Sequence, residues 1–253
     1  MISVVCVYNN ERLLEDYLVK SLNRQTVEFE FISLDNTSGS FGSASEALNH
    51  GGKKAKGKYI MFVHQDVDLS SNSWLEDAEK SLDTINNLGI AGVAGMSETG
   101  NTNEKRGRNI IKHGNPVRIW QWGNQIQKPE QVQTLDECLV IIPKKVFDVI
   151  QFDEIACNNW DLYAVDYCLS IKKLGLEAYA LPMHIYHKST GKITKNYYLT
   201  LEKLKKKHRE KFKHIYTTFG DWNTSHPLIF QRLWHLMKAR LTYPFRKLQN
   251  RVD

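Results

Sequence analysis

Tyr59-Ile60-Met61-Phe62-Val63-His64-Gln65-Asp66-Val67-Asp68 is the stretch on which the fold turns. Five apolar residues run without a break into a polar Asp-x-Asp. A short continuous apolar run reads as a strand covered on both faces, as in a parallel sheet held between layers of helix. Runs at 2–7, 29–34, 90–94, 139–142 and 177–181 read as further strands. Helical stretches separate them. Leu13, Leu14, Tyr17, Leu18 and Leu22 recur at helical spacing within 11–22. Residues 43–49 read as a short helix stopped by Gly51-Gly52, 74–87 as another, and 161–174 as one closed by Gly175. This alternation predicts βαβ units. The fold class is α/β, with a Rossmann-like, mostly parallel central sheet flanked by helices. Residues 95–115, rich in Gly, Asn, Thr and charge, read as a functional loop. From about Thr194 onward the pattern is helical.

The composition narrows the class. With 253 residues, 42% hydrophobic and 25% charged, the chain has a soluble composition and is long enough for a full core. No run reaches the ~18 apolar residues of a membrane span. The opening Met1-Ile2-Ser3-Val4-Val5 lacks a basic n-region and reads as a first strand, not a signal peptide. Cys6, Cys138, Cys157 and Cys168 form no Cys-x-x-Cys pair and fit no zinc spacing, which points to a reducing, cytoplasmic setting. The net charge of +6 gathers late, in Lys203, Lys205, Lys206, Lys207, Arg209, Lys211 and Lys213, and again between Arg232 and Arg251. Such a run is either a solvated helix face or a surface for an anionic partner.

Ligands of open parallel sheets bind at the carboxyl ends of strands. Asp66 and Asp68 stand there and repel each other unless a cation neutralises them. Mg²⁺ or Mn²⁺ bridging to a diphosphate meets that need with hard oxygen ligands. Asp35 ends the second strand, where a carboxylate meets a ribose or a base edge; an Asx turn is the structural alternative. Tyr8-Asn9-Asn10-Glu11 ends the first strand and contains no G-x-G-x-x-G and no P-loop lysine. That argues against a dinucleotide dehydrogenase and against a P-loop NTPase.

Taken together, these segments resemble the family 2 glycosyltransferases of the GT-A fold. Residues 2–11 resemble the family's opening, as does Leu34-Asp35-Asn36-Thr37-Ser38-Gly39-Ser40. Ala47-Leu48-Asn49-His50-Gly51 and residues 55–68 resemble its approach to the metal motif. The likeness covers roughly 2–191. It implies that Tyr8, Asn9, Glu11, Asp35 and Asn36 line the nucleotide pocket. It further implies a metal motif of Asp66 and Asp68, with Asp68 the direct ligand, Asp66 nearer the ribose, and His187 completing the site. Leu135-Asp136-Glu137-Cys138 resembles the acceptor-side loop, so Asp136 and Glu137 become acceptor candidates with Trp122 and Trp160. The family's catalytic carboxylate falls at Ala164, which takes no proton. Asp161, one helical turn earlier, is the expected base and Asp166 the fallback; an N-cap is the alternative for Asp161. His184 and His187, three apart on a strand, point to opposite faces, so at most one serves the site.

The implied domain plan is a GT-A catalytic unit over 1–192 and a basic, amphipathic helical region over 193–253. Within the first, the nucleotide half covers about 1–95 and the acceptor half about 96–192. The implied activity is inverting transfer from a UDP-, GDP- or dTDP-linked sugar to a glycan or lipid-linked glycan. Ile229, Phe230, Leu233, Trp234, Met237 and Leu241 form an apolar stripe suited to peripheral contact with the inner face of a membrane, to the catalytic unit, or to a second copy. Nucleic acid is not an expected partner. The competing readings are a sugar nucleotidyltransferase and a non-catalytic carbohydrate- or nucleic-acid-binding protein.

Overall fold

The computed structural model describes residues 1–108, 111–115, 118–189, 191 and 193–237, with the backbone alone at 115 and 118–122. Seven strands form the central sheet: β1 (Ile2–Tyr8), β2 (Phe29–Asp35), β3 (Tyr59–Val63), β4 (Leu88–Gly92), β5 (Glu130–Val132), β6 (Leu139–Pro143) and β7 (Glu177–Ala180). Their spatial order is β5-β7-β4-β6-β3-β1-β2. β1 pairs in parallel with β2 and β3, and β7 in parallel with β4. Only β6, between β3 and β4, and β5, at the edge, run the other way.

Side-chain alternation along each strand feeds two cores, one on each face. Val5, Ile60 and Phe62 join Leu48, Phe147, Leu169 and Leu201 on one side. Val4, Cys6 and Met61 join Leu18, Trp74 and Leu75 on the other. Helix α1 (residues 11–22) and α3 (Trp74–Asp83) cover the second face. Helices α2 (Ala44–Lys54), α4 (Tyr163–Ile171) and α5 (Lys195–His208) cover the first. The middle of α1, Leu14–Val19, is π-helical.

Four sequence expectations need revising. Helix α2 does not stop at Gly51-Gly52 but runs through them. A Cβ at Gly51 would stand 2.5 Å from Val5 Cγ1, and one at Gly52 2.5 Å from the Phe147 ring. The pair permits close helix–sheet contact and ends nothing. The loop expected over 95–115 carries short strands Gly95–Met96, Gly107–Arg108 and Ile111–Asn115, with one helical turn at Asn103–Arg106. Helix α4 starts at Tyr163, so Asp161 lies on the turn before it.

The C-terminal region is not helical throughout. After α5, whose Leu201 and Leu204 are fully buried in the main core, a hairpin pairs His214–Thr217 with Gly220–Asn223. Tyr216 N–H donates to Gln133 Oε1 at 2.8 Å, tying that hairpin to the residue that follows β5. The chain is helical again over 228–237. Three of the seven clustered cations are internal ties. Lys205, 2% exposed, donates to the His226 carbonyl; Lys207 bonds Asp153 and Asp166; Lys203 bonds Asn158.

Candidate functional site

The apolar part of β3 ends at Val63, and the chain turns. His64 N–H donates to the Cys138 carbonyl at 3.0 Å, and Val67 N–H reaches back to the His64 carbonyl at 3.4 Å. The two residues Val67–Asp68 then pair antiparallel with Tyr186–His187, which pair in parallel with Lys112 and His113. This small sheet carries His187 to the carboxyl end of β3.

Three side chains converge there. One ligand atom from each of His64, Asp66 and His187 falls within 4.8 Å of the others. Asp66 Oδ1 lies 3.3 Å from His187 Nε2, and its Oδ2 accepts from Ser189 N–H at 3.0 Å. His64 Nδ1 lies 3.4 Å from the same His187 nitrogen. The other His64 nitrogen faces the Tyr163 hydroxyl at 3.4 Å, and that hydroxyl donates to the Glu137 carbonyl at 3.1 Å. Burial, then the charge of His187, pushes His64 down to about 4. Burial works to raise Asp66, but the bond to His187 and the charges of His187 and His64 outweigh it and hold the carboxyl at about 2. A neutral imidazole and an ionised carboxylate are the protonation states that metal ligation requires. The donor set therefore fits a divalent ion, with one oxygen and two nitrogens.

Asp68 is elsewhere. Both its oxygens take the Arg24 guanidinium, at 3.0 and 3.1 Å, and one also accepts Ser70 N–H at 2.7 Å. The expected Asp66/Asp68 couple is thus split, and His64 stands where Asp68 was expected. His64 carried no sequence argument. Its only signal was its place, first after the apolar run and two residues before Asp66. Of the other pair of histidines, His184 contacts Gln125 at 3.1 Å and stands outside the cluster, so one of the two serves the site.

The nucleotide candidates line the neighbouring strand ends. Tyr8 and Asp35 are register partners on β1 and β2. Asp35 accepts from Thr37 N–H at 2.8 Å, which holds its carboxyl low, with the Tyr8 hydroxyl adding to that. The Asx-turn alternative is therefore part of the same arrangement. Asn9 is clamped to Gln65 by reciprocal bonds of 3.1 and 2.7 Å, which join the end of β1 to the metal-candidate turn. Glu11 opens α1 and is exposed, and Asn36 closes its loop on the Phe41 backbone.

Asp161 lies beside Leu162, a buried non-glycine residue held at φ 66°. Strain of this kind persists only where the surroundings impose it. Burial raises the Asp161 carboxyl, and the bond from Thr194 Oγ1 at 3.3 Å partly offsets it. Glu137 is raised by burial, then by the charges of Asp136 and Asp161, while Ala164 and Tyr163 N–H groups pull it back. Asp136 braces its own loop by accepting Cys138 N–H at 3.1 Å. Trp160 is 46% exposed; the Trp122 side chain lies outside the described residues. The fallback base does not fit. Asp166 is 2% exposed, and its two oxygens are bonded to Lys207 and His208 at 2.7 Å each. It faces the interior between α4 and α5 with no oxygen left for a substrate.

A cavity of about 1200 Å³ lies apart from these groups, between the 101–106 segment and the C-terminal hairpin and helix, lined by Arg106, Tyr198, His214, Phe219, Asp221 and Trp234.

A mixed sheet of this order, with titratable side chains gathered at the end of β3, belongs to the GT-A architecture, and the likeness to solved structures bears that out. The chain aligns with S. aureus TarS in complex with UDP-GlcNAc at a TM-score of 0.56 and 16% identity, covering 81% of this chain and 65% of that one. It aligns with the mannosyltransferase PcManGT of Pyrobaculum calidifontis, solved with GDP-Man and Mn²⁺, at 0.56 and 12%, over 84% and 65%. GalNAc-T7, solved with UDP, GalNAc and Mn²⁺, gives 0.55 and 13%, over 80% and 47%. The chain thus spans about two-thirds or less of those structures' length. A Fuscovulum blasticum protein, "ATP synthase subunits region ORF 6", is 24% identical over 223 residues, 82% of this chain and 84% of that protein. The chain belongs to the glycosyltransferase-like family whose model matches residues 3–216, and it is a glycosyltransferase.

Proposed function

We propose that the protein transfers a sugar from a nucleoside diphosphate sugar to a hydroxyl of a glycan or lipid-linked glycan, with inversion at the anomeric carbon. The reading rests on one observation: His64, Asp66 and His187 gather within 4.8 Å at the end of β3 in a chain of this family. Relatives by fold, PcManGT and GalNAc-T7, were solved with Mn²⁺ and nucleotide or nucleotide sugar. His64, Asp66 and His187 hold the divalent ion, which when bound neutralises charge on the departing diphosphate. Tyr8, Asn9, Glu11, Asp35 and Asn36 take the base and ribose. Asp161 receives the acceptor proton at its carboxylate as the hydroxyl attacks from the face opposite the diphosphate. Burial that raises its proton affinity suits that task. One displacement requires no enzyme nucleophile, unlike retaining hydrolysis. Asp136, Glu137 and Trp160 serve the acceptor side in this reading.

Contact with the inner face of a membrane belongs to the same proposal. Six large apolar side chains of the 228–237 helix are at least half exposed: Ile229, Phe230, Leu233, Trp234, Leu236 and Met237. Residues 193–253 carry fourteen Lys and Arg against four Asp and Glu, which suits anionic lipid. Among the described residues no helix is long and apolar enough to cross a membrane.

The test of transfer is a thermal-shift screen of UDP-, GDP- and dTDP-sugars with and without Mn²⁺, followed by anomer assignment of the product by NMR. Metal-dependent stabilisation by one nucleotide class is expected; stabilisation by none refutes the donor assignment. Sedimentation with anionic vesicles, with and without residues 225–253, tests the membrane contact, and equal binding of both forms refutes it.

A further inference from the structure

The cavity of about 1200 Å³ shares no residue with the donor site, yet a short stretch of chain joins the two. Ser189 N–H bonds Asp66. A Cβ at Gly191 would stand 3.1 Å from the ring of Phe219, which lines the cavity. Ile193 lines it too, and the next residue, Thr194, bonds the candidate base Asp161 at 3.3 Å. The cavity thus starts one residue from the group that holds the base. Most of its wall lies past residue 216, where the family match ends. Pockets that bury a drug-sized ligand run to about 300–1,000 Å³, so this one has room for more than one sugar ring.

The wall combines flat apolar faces with donors and acceptors. Phe219, Phe230 and Trp234 line it and are exposed. Phe230 and Trp234, four apart, share a stripe of the 228–237 helix; Ile229, Leu233 and Met237 share another, which lines no part of the cavity. The membrane contact proposed above falls to that second stripe. The polar part centres on Arg106, His214 and Asp221. Arg106 is 9% exposed, and its guanidinium stacks on Tyr216 at 4.1 Å. Its Nε has no hydrogen-bond partner among the described residues, and its Nη1 is 3.7 Å from Asp221 Oδ2, beyond hydrogen-bond reach. Asp221 pairs with His214 Nδ1 at 2.6 Å. A buried donor without an acceptor calls for an oxygen from outside the protein. A hydrocarbon chain would leave these groups unpaired. An anion would meet the carboxylates of Asp221 and Glu104 as well as Arg106 and Arg232. A neutral sugar suits both halves of the wall: its hydroxyls accept from Arg106 and donate to Asp221, and its C–H faces lie on the aromatic rings.

We infer that this cavity binds a neutral oligosaccharide, the sugar residues of the acceptor that precede the attacked hydroxyl, so that the acceptor class is an oligosaccharide and not a monosaccharide. The role as acceptor rests on the transfer reading above; the binding rests on the cavity alone. The full chain, fluorescently labelled, is applied to a printed array of neutral mono- and oligosaccharides and their phosphorylated and sialylated counterparts, without nucleotide or metal. Wild type is expected to capture neutral glycans of two or more residues and no monosaccharide. Trp234→Ala is expected to weaken that capture by about tenfold, the effect of truncating an aromatic anchor. Its melting temperature should stay within about 2 °C of wild type, since the side chain is 64% exposed. Asp221→Asn is expected to weaken capture by about tenfold, through loss of a charged acceptor. A loss in either variant at a wild-type melting temperature supports the cavity as the site. Capture of no neutral oligosaccharide by wild type overturns the inference, as does capture of charged glycans alone or an undiminished signal in both variants. If a nucleotide sugar stabilises the protein in the thermal-shift screen but no glycan is captured, the inference fails while the donor reading survives. If neutral oligosaccharides are captured through the cavity and no nucleotide sugar binds, the glycan site stands and the transfer reading falls.

Discussion

Replacing Asp166 and Asp161 in turn should separate stability from chemistry. Asp166 is 2% exposed, accepts from the charged Lys207 Nζ at 2.7 Å and pairs with His208 Nε2 at 2.7 Å. Removing one partner of a buried ion pair costs about 3–5 kcal/mol, chiefly because the other charge stays buried and unpaired. In Asp166→Ala, Lys207 keeps Asp153 at 2.7 Å, so the low end applies, about 3 kcal/mol. For a chain of this size, at about 2–4 °C per kcal/mol, the melting temperature should fall by roughly 6–12 °C. Well below that temperature, kcat should stay within about threefold of wild type, since Asp166 offers a substrate no free oxygen. Asp161→Asn should show the opposite pattern. Its side chain makes one long bond, 3.3 Å from Thr194, so the melting temperature should move by less than about 2 °C. Loss of a general base should lower kcat by about 10²- to 10⁴-fold. The assays are differential scanning fluorimetry and initial-rate kinetics with the donor found in the screen. An Asp166→Ala protein that melts normally but does not turn over would refute the reasoning. So would an Asp161→Asn protein with full activity.

Three further outcomes are expected. The acid limb of the kcat–pH profile should lie above the ordinary aspartate value of about 3.9, because burial raises Asp161. Thr194→Val removes the bond that lowers it, so that limb should move further up; a downward move refutes the assignment. The sign for stability is the reverse of the usual carboxylate case. The folded state binds the Asp161 proton more tightly than the unfolded state, so this group costs stability as pH rises through its folded pKa and costs nothing below about 3.9. Arg24→Ala releases Asp68 but should change Mn²⁺ affinity less than about twofold, whereas Asp66→Asn should reduce it by at least about tenfold in a titration followed by electron paramagnetic resonance of the free ion. Gly52→Val places side-chain atoms where a Cβ already stands 2.5 Å from the Phe147 ring. Overpacking of that kind should cost about 1–3 kcal/mol, and a melting temperature equal to wild type would show that α2 yields without strain.

The parts of the fold visible in the sequence were those where burial leaves one reading. Continuous apolar runs such as Val4-Val5-Cys6 and Ile60-Met61-Phe62 are covered on both faces and have no other stable place. The C-terminal hairpin escaped notice because each strand is four residues long, and its alternation of buried and half-buried positions lies among lysines and aromatics that also fit a helix. Gly51-Gly52 misled for a different reason. Glycine marks helix ends when the backbone needs a positive φ, but here it admits Val5 and Phe147, a tertiary demand that local pattern does not carry. The start of α4 was missed by two residues because Leu162 adopts a left-handed conformation that leucine rarely takes.

The metal motif shows the same limit at the level of single side chains. Asp66 and Asp68 are two apart, and on an uninterrupted strand two-apart residues share a face, so a paired site was the natural inference. The strand does not continue. β3 ends at Val63, the Val67 N–H closes a turn onto the His64 carbonyl, and Asp68 enters a different sheet opposite Tyr186. The pair of positions that stay together lies one step earlier, at 64 and 66, on the turn itself. His187 reaches them from more than a hundred residues away because the Tyr186–His187 strand takes Val67–Asp68 as its neighbour. What the sequence supplied was the strand end as the location. The identity of the donors was decided by where the chain turned, and the exchange of an expected oxygen for an imidazole nitrogen follows from that turn.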